Sequence, residues 1–304
     1  MSHALIGGDW VDAASGERFD DLDPYTGDVV ARVPAGGRED VRRAIDAAAA
    51  AFPAWSKAPP ALCQQIFLHA AEILERRQDE VVSLLARETG ASFGFGMFQL
   101  HFVPGLFRQV AALAYAPIGE ILPSDLPGAF AMGMRRPVGV VAAIAPWNAA
   151  LILSARSIAA PLALGNTVVL KPSENSPFVG GQLWGEIFEE AGLPAGVLNI
   201  VTHARAQAEE IGDELCTNPK VRRINFTGST DVGRKIAEAA GRNLKRVVLE
   251  LGGSNPLIVL GDADLDYAVD AAAFGAFLHQ GQICMSARRI IVERPIADAF
   301  VERL

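Results

Sequence analysis

Two short stretches carry residue types able to do chemistry together. Arg246-Val-Val-Leu-Glu250 ends an apolar run on a carboxylate and continues into Leu251-Gly252-Gly253, while Gly281-Gln282-Ile283-Cys284 ends on a thiol. A thiol and a carboxylate facing one cavity make a nucleophile and a general base. The two residues stand 34 positions apart in the chain. That is the length of one crossover unit, so a single α/β turn brings both to one edge of a sheet. The plain alternative is that a lone cysteine is a small buried hydrophobe, the reading that suits Cys63 and Cys216.

The elements that must position this pair are legible in the pattern. Residues 1 to 35 read as short strands and turns, with Asp23-Pro24-Tyr25-Thr26-Gly27 as punctuation. A helix carrying Ala44, Ile45, Ala48 and Ala49 on one side follows, then a break at Ala58-Pro59-Pro60, then one or two helices closed by Thr89-Gly90. Phe93, Phe95, Phe98, Phe102 and Phe107 crowd one segment, and helical spacing joins Phe95, Phe98 and Phe102. They are either core or the wall of a pocket for an apolar or aromatic ligand. The Pro- and Gly-rich residues 117–137 read as a projecting hairpin. Beyond them, Val138–Ala145 is the continuous apolar run that a strand covered on both faces needs. Further strands at 167–170, 197–201 and 223–226 alternate with helices at 151–164, 181–191, 204–216 and 233–240. Such alternation means an α/β fold with a parallel sheet. A helix starting at Asp262 or Asp264 and stopping near Gly281 leaves Cys284 in a turn before the strand Arg289–Glu293.

Composition narrows the function. The 304 residues suffice for two domains, and a net charge of −8 argues against nucleic-acid or anionic-membrane partners. The longest uncharged run, between Arg136 and Arg156, contains Pro137, Pro146 and Asn148 and reads as a strand and loop, not a membrane span. Three cysteines make no disulfide framework, and no Cys or His spacing suggests a zinc site. The first residues carry no export signal, so the expected compartment is the cytoplasm. The five histidines are scattered and read as structural.

Parallel sheets bind ligands at the carboxyl ends of their strands. Three polar clusters fall there: Pro146-Trp147-Asn148, Lys171-Pro172-Ser173-Glu174 and Thr227-Gly228-Ser229-Thr230-Asp231-Val232-Gly233. The third opens a helix, and glycines before a helix N-terminus suit a phosphate as well as an ordinary turn. It half-resembles a phosphate loop, but Arg234-Lys235 stands where Lys-Ser/Thr is needed, which disfavours a triphosphatase. Lys171 and Glu174 suit ribose hydroxyls or an exposed ion pair. The Asn148 amide suits a developing oxyanion or a turn.

Together these clusters resemble the aldehyde dehydrogenase superfamily. The resemblance rests on Glu88-Thr89-Gly90, Pro146-Trp147-Asn148, Leu170-Lys171-Pro172-Ser173-Glu174, Phe226-Thr-Gly-Ser-Thr230, Leu249-Glu-Leu-Gly-Gly253 and Gly281-Gln-Ile-Cys284, in the family's order and spacing. Phe274-Gly-Ala-Phe-Leu-His-Gln-Gly-Gln-Ile-Cys-Met285 looks like the benzaldehyde and vanillin dehydrogenase branch. The resemblance implies oxidation of an aldehyde, aromatic by the branch, to a carboxylic acid. Cys284 matches the nucleophile, Asn148 with the Cys284 amide the oxyanion hole, and Glu250 the base that hydrolyses the thioester. Lys171 and Glu174 match the adenine-ribose contacts, and Ser173 and Leu251 are counted with the cofactor. Gly228, Ser229 and Gly233 match the pyrophosphate loop, Trp147 flanks the cofactor path, and Phe107 falls near the substrate tunnel. The implied cofactor is NAD, with NADP possible if Glu174 swings aside.

The implied architecture is a Rossmann-like parallel sheet domain, 1–116 and 138–252, with an oligomerisation hairpin at 117–137. An incomplete second α/β catalytic domain begins at 253–304. The family's Glu-x-Phe-x-Pro motif and its C-terminal tail strand do not occur in the 304 residues. The chain therefore reads as C-terminally truncated, with homo-oligomerisation expected of a full-length parent and weak cofactor binding without activity expected of 1–304. A competing reading is a dinucleotide-binding module that has lost the reaction. A coenzyme A-acylating enzyme is disfavoured, because it needs no water-activating Glu250.

Overall fold

In a computed structural model that describes residues 3–304, the chain opens with two antiparallel hairpins. They are β1 (Ala4–Ile6) with β2 (Asp9–Val11) and β3 (Arg18–Leu22) with β4 (Val29–Pro34). Four helices follow: α1 (Arg38–Trp55), α2 (Pro60–Arg76), α3 (Gln78–Thr89) and α4 (Phe93–Leu113). Pro60 opens α2 at a position where a missing N–H is no loss. Gly90 ends α3 with a φ of 65°, which glycine adopts without strain. β5 (Gly119–Leu122) and β6 (Ala131–Met134) form a separate hairpin whose Ile121, Leu122, Met132 and Met134 are exposed.

Strands and helices then alternate: β7 (Val140–Ile144), α5 (Ala150–Ala163), β8 (Thr167–Lys171), α6 (Leu183–Glu190), β9 (Leu198–Ile200), α7 (Ala208–Thr217), β10 (Val221–Gly228), α8 (Thr230–Arg242) and β11 (Arg246–Leu251). The sheet order is β11-β10-β7-β8-β9-β1-β2, parallel from β11 to β9 and antiparallel at β1 and β2. The α/β class and parallel sheet expected from the alternation are what the structure has.

Both sheet faces are covered. Val141 and Ala143 of β7 pack with α2, α4, α5 and α6 on one side, and Val140, Ala142 and Ile144 pack with α1, α7 and α8 on the other. This is why β7 reads as one unbroken apolar run. β12 (Asn255–Val259), α9 (Leu265–Phe277), β13 (Ala287–Val292) and α10 (Ala297–Arg303) form a small unit with its own core of Val259, Ala268, Ala272 and Phe300. Its two strands pair in parallel, and Ile258, Ile291, Phe274 and Phe277 remain exposed. No helix among the described residues is long and apolar enough to cross a membrane.

Three expectations need correction. Glu250 and Cys284 do not share a sheet: β11 belongs to the seven-stranded sheet and β13 pairs with β12 in another. The helix after β10 begins at Thr230, not Gly233, because Ser229 caps it by accepting the Val232 amide at 3.4 Å. Phe107 is fully buried, edge-on to Phe67 and Trp184 and 5.6 Å from Phe188 between ring centroids. It is a core residue, because α4 turns its Phe107 side toward α2 and α6 and its Phe98 and Phe102 outward.

Glu88 at the end of α3 is buried and accepts the Phe178 and Val179 amides at 2.6 and 2.7 Å, tying α3 to the turn that leads into α6. Burial and the neighbouring Asp21 push its carboxyl well above the usual range. Burial likewise pushes Asp21, on β3, up to about 6, against the opposing pull of its hydrogen bond with Glu88 and of the Arg87 charge. Both acids therefore favour the protonated form more than an exposed carboxyl does. Between the ordinary Asp value and about 6, the unfolded chain has released a proton that the folded chain keeps. Stability from this pair is therefore present at low pH and falls as pH rises through that window. Asp21→Asn, which keeps a donor toward Glu88, should remove the part of the fall that belongs to Asp21. Its advantage over the native protein in urea denaturation should grow by on the order of 1–3 kcal/mol between about pH 4 and about pH 7. An equal difference at both pH values would mean that folded Asp21 keeps no extra proton.

Candidate active site

Register aligns the carboxyl ends of four strands. Ile144 pairs with Lys171 on one side and with Phe226 on the other, and Thr227 pairs with Glu250. From β7 the chain steps outward through β8 to β9, then returns to the far side of β7 as β10 and β11. A crevice opens where strand order reverses, because the loops after β7 and β10 depart to opposite faces. A cleft of about 860 Å³ lies there. Its walls carry Trp147 and Asn148 after β7, Gly228 and Ser229 after β10, Glu250 and Leu251 of β11, and Cys284 from the turn before β13. Thiol, carboxylate and amide thus converge across a gap between two sheets. Cys284 is exposed, whereas Cys63 and Cys216 are buried.

The nucleophile turn is held from both sides. Asn148 Nδ2 donates to the Gln282 carbonyl at 2.7 Å, and a second N–H remains on the same nitrogen. Asn255 Nδ2 donates to the Cys284 carbonyl at 2.6 Å and to the Ser286 carbonyl at 3.2 Å. Upstream, His279, Gln280 and Gly281 have φ of 48°, 53° and 71° in succession. Such strain at two non-glycine residues persists only where packing over-determines it. The packing here is the His279 ring, buried and stacked on Phe95 with centroids 4.5 Å apart, with Trp147 at 6.3 Å. Burial lowers the His279 pKa, partly offset by the Asn148 backbone. Sequence reading missed His279 and Asn255. One looks like any scattered histidine, and the other looks like a turn before proline.

The remaining candidates are dispersed. Glu174 lines a second cavity of about 570 Å³, which shares Trp147 and Gln282 with the main cleft. Lys171, Ser173 and Gly233 line neither. Ser173 is buried in its own turn, its hydroxyl 3.3 Å from Glu174 Oε2 and accepting the Asn175 amide at 3.2 Å. Gly233 is a packing residue rather than a phosphate contact. Its N–H is used by the Ser229 carbonyl at 2.9 Å, and a Cβ there would lie 2.5 Å from Leu251 Cδ2. The glycine lets α8 close on β11. The amides left for an anion at the cleft are those of the first turn, Thr230 and Asp231.

Lys171 fits a bound polar ligand. Its side chain is only 8% exposed and makes no hydrogen bond or close ion pair among the described residues. Burial lowers its pKa to about 8, with Glu174 pulling the other way. A buried ammonium without a partner is costly, and a ligand hydroxyl or carbonyl would supply one. Burial also raises the Glu174 carboxyl, but its backbone amide, His203, Lys171 and Ser173 outweigh that and bring it below the usual range. The structure therefore offers a donor and an acceptor near one another beside β8, as a vicinal diol requires.

The sequence pattern of the aldehyde dehydrogenase family matches residues 10–304. The chain is 50% identical to a vanillin dehydrogenase of Pseudomonas fluorescens over 300 residues, covering 99% of this chain and 62% of that protein. A crystal structure of a salicylaldehyde dehydrogenase from Pseudomonas putida G7, complexed with salicylaldehyde, superposes with a TM-score of 0.96 at 42% identity. It covers 99% of this chain and 62% of that one. A NAD-dependent benzaldehyde dehydrogenase from Corynebacterium glutamicum gives a TM-score of 0.92 at 42% identity, covering 99% and 64%. The chain thus spans about three fifths of the length of these relatives.

Proposed function

The chain belongs to the aldehyde dehydrogenase family, and on that premise we propose, against the expectation that 1–304 is inactive, that it oxidises an aromatic aldehyde to the carboxylic acid with a nicotinamide dinucleotide as oxidant. The observation that carries this is the meeting of Cys284, Asn148 and Glu250 in one cleft at the reversal of strand order. The Cys284 thiolate attacks the aldehyde carbon. The carbonyl oxygen takes the charge and is held by the Asn148 side-chain amide and the Cys284 backbone N–H. A nicotinamide ring bound in the cleft would supply the acceptor for the hydride that leaves this carbon. Cys284 is left as a thioester. Glu250 takes a proton from water, which adds to the thioester carbonyl, and the carboxylic acid leaves as the thiolate returns.

Lys171 and Glu174 would hold the adenine ribose through its hydroxyls, and the first-turn amides of α8, capped by Ser229, would meet the pyrophosphate. Glu174 favours an unmodified ribose, hence NAD. Aromatic preference is read from the stripe of α4, which reaches the site through the thiol turn and is not a wall of either cavity. Phe95 and Phe98 stack at 6.1 Å, Phe102 continues the row, and Phe95 lies against His279, five residues before Cys284. The relatives named for vanillin, salicylaldehyde and benzaldehyde support the same class. The exposed apolar side chains of the β5–β6 hairpin suit contact with a second copy in the assembled enzyme.

The test is NADH formation from benzaldehyde and NAD, beside a straight-chain aldehyde of equal carbon number. The aromatic substrate should show the higher kcat/KM, by at least about tenfold. Equal rates would remove the aromatic assignment, and no acylation of Cys284 by either aldehyde would remove the reaction.

A further inference from the structure

We propose that Asn255 is a positioning residue for the nucleophile: it turns the Cys284 carbonyl out of the cleft, so that the Cys284 N–H is left facing the oxygen that gains charge. This rests on the reading of Cys284 as nucleophile. Asn255 opens β12. Its Nδ2 carries two N–H groups, and both are engaged, one by the Cys284 carbonyl at 2.6 Å and one by the Ser286 carbonyl at 3.2 Å. The Ser286 N–H donates to the Ile283 carbonyl at 3.0 Å, which fixes the peptide plane joining Ile283 to Cys284. That peptide is trans, so the Cys284 N–H points opposite to the captured Ile283 carbonyl. This N–H makes no hydrogen bond among the described residues. Asn255 is no wall of the cleft that Cys284 lines, so the carbonyl it captures points out of that cleft.

Backbone register aims the amide. Asn255 pairs with Ala287 and Pro256 with Arg289, so Arg288 is an extra residue and the ladder bulges where β13 leaves the nucleophile turn. Bulges beside active sites re-aim side chains. Electrostatics make the captured carbonyl matter. Its oxygen carries partial negative charge, and a freely rotating peptide after Cys284 would bring that oxygen toward the developing oxyanion and repel it. Removing one oxyanion donor costs about 10²–10³ in turnover, and a donor left badly aimed loses part of that. Asn148 does not replace Asn255, because it holds a different peptide through the Gln282 carbonyl.

The test sets two reagents against the same sulfur and needs no cofactor. Iodoacetamide alkylates a thiolate by displacing iodide at a saturated carbon, and no oxyanion forms. p-Nitrophenyl acetate acylates it by addition at a carbonyl, through an oxyanion, and p-nitrophenolate leaves as the thioester forms. The native protein should release a burst of p-nitrophenolate and carry the acetyl group on Cys284. Asn255→Leu, of similar shape but without donors, and Asn255→Ala should acylate at least about tenfold more slowly. Their alkylation rates should stay within about twofold of native, with the same pH midpoint. Asn255→Ser, with one donor, should fall between native and Asn255→Leu. Cys63 and Cys216 are buried, so labelling confined to Cys284 marks a variant as folded. If acylation and alkylation fall alike, or if neither changes, the assignment of Asn255 fails and the nucleophile stands. If the native protein gives neither burst nor acetylated Cys284, the nucleophile reading itself fails, and Asn255 with it.

Discussion

Replacing Cys284 by alanine should abolish aldehyde oxidation, with turnover down by at least about 10⁴-fold. The proposed reaction passes through a carbon–sulfur bond at every stage, so no partial route survives. Neither remaining thiol can substitute. Cys63 and Cys216 are buried, and burial raises both, Cys216 to about 11. Because Cys284 is exposed on the cleft, its loss opens no core cavity, and the fold should be unchanged. Binding of 5′-AMP should also be unchanged, since Lys171 and Glu174 belong to another loop. Labelling by a thiol reagent should fall from one fast-reacting group per chain to none. Turnover above about one per cent of native, or a fast-reacting thiol left in the variant, would mean that the nucleophile lies elsewhere.

Glu250→Gln should separate the two halves of the reaction. Hydride transfer does not need a base for water, so one equivalent of NADH should form quickly. Turnover should then stall, with kcat lowered by on the order of 10²–10⁴. Mass spectrometry of the stalled protein should find the aroyl group on Cys284. Glutamine keeps the shape and some hydrogen bonding, and Glu250 is exposed at the end of β11, so stability should barely move. A variant with no NADH burst and no adduct would place Glu250 in activating the thiol instead of the water, and hydrolysis would then need another base. The exposed thiol of the native protein, tested without cofactor, would in that case react with alkylating agents faster than that of the variant.

Much of the fold was legible because its causes are local. Gly90 ends α3 and Asp264 caps α9, its side chain accepting the Tyr267 amide at 3.2 Å, through chemistry that spans only a few residues. β7 announced its burial on both faces by an unbroken apolar run. The candidate site was half legible. Asn148, Glu250 and Cys284 were named as strand-exit or turn residues, and all three line the cleft. Gly233 was misassigned because its spacing fits a phosphate loop and a helix-packing contact equally well. Ser173 shared a motif with Lys171 and Glu174, but its hydroxyl serves the turn itself. Phe107 was misplaced because helical spacing groups aromatic residues without saying which neighbour each face meets.

The sequence by itself determined the alternation of strands and helices, the stops and caps, and the polar residues that leave the strand ends. These follow from backbone sterics, period and short-range hydrogen bonding. Only the tertiary structure decided that β10 returns to the far side of β7 and opens a crevice there. It also decided that Glu250 and Cys284 meet from two separate sheets, and that His279 wedges against Phe95 to hold a strained turn beside the thiol. Those outcomes depend on strand order and on which buried faces pack together. Residues far apart in the chain settle both, and the hydrophobic period of each element is the same whichever partner it finds.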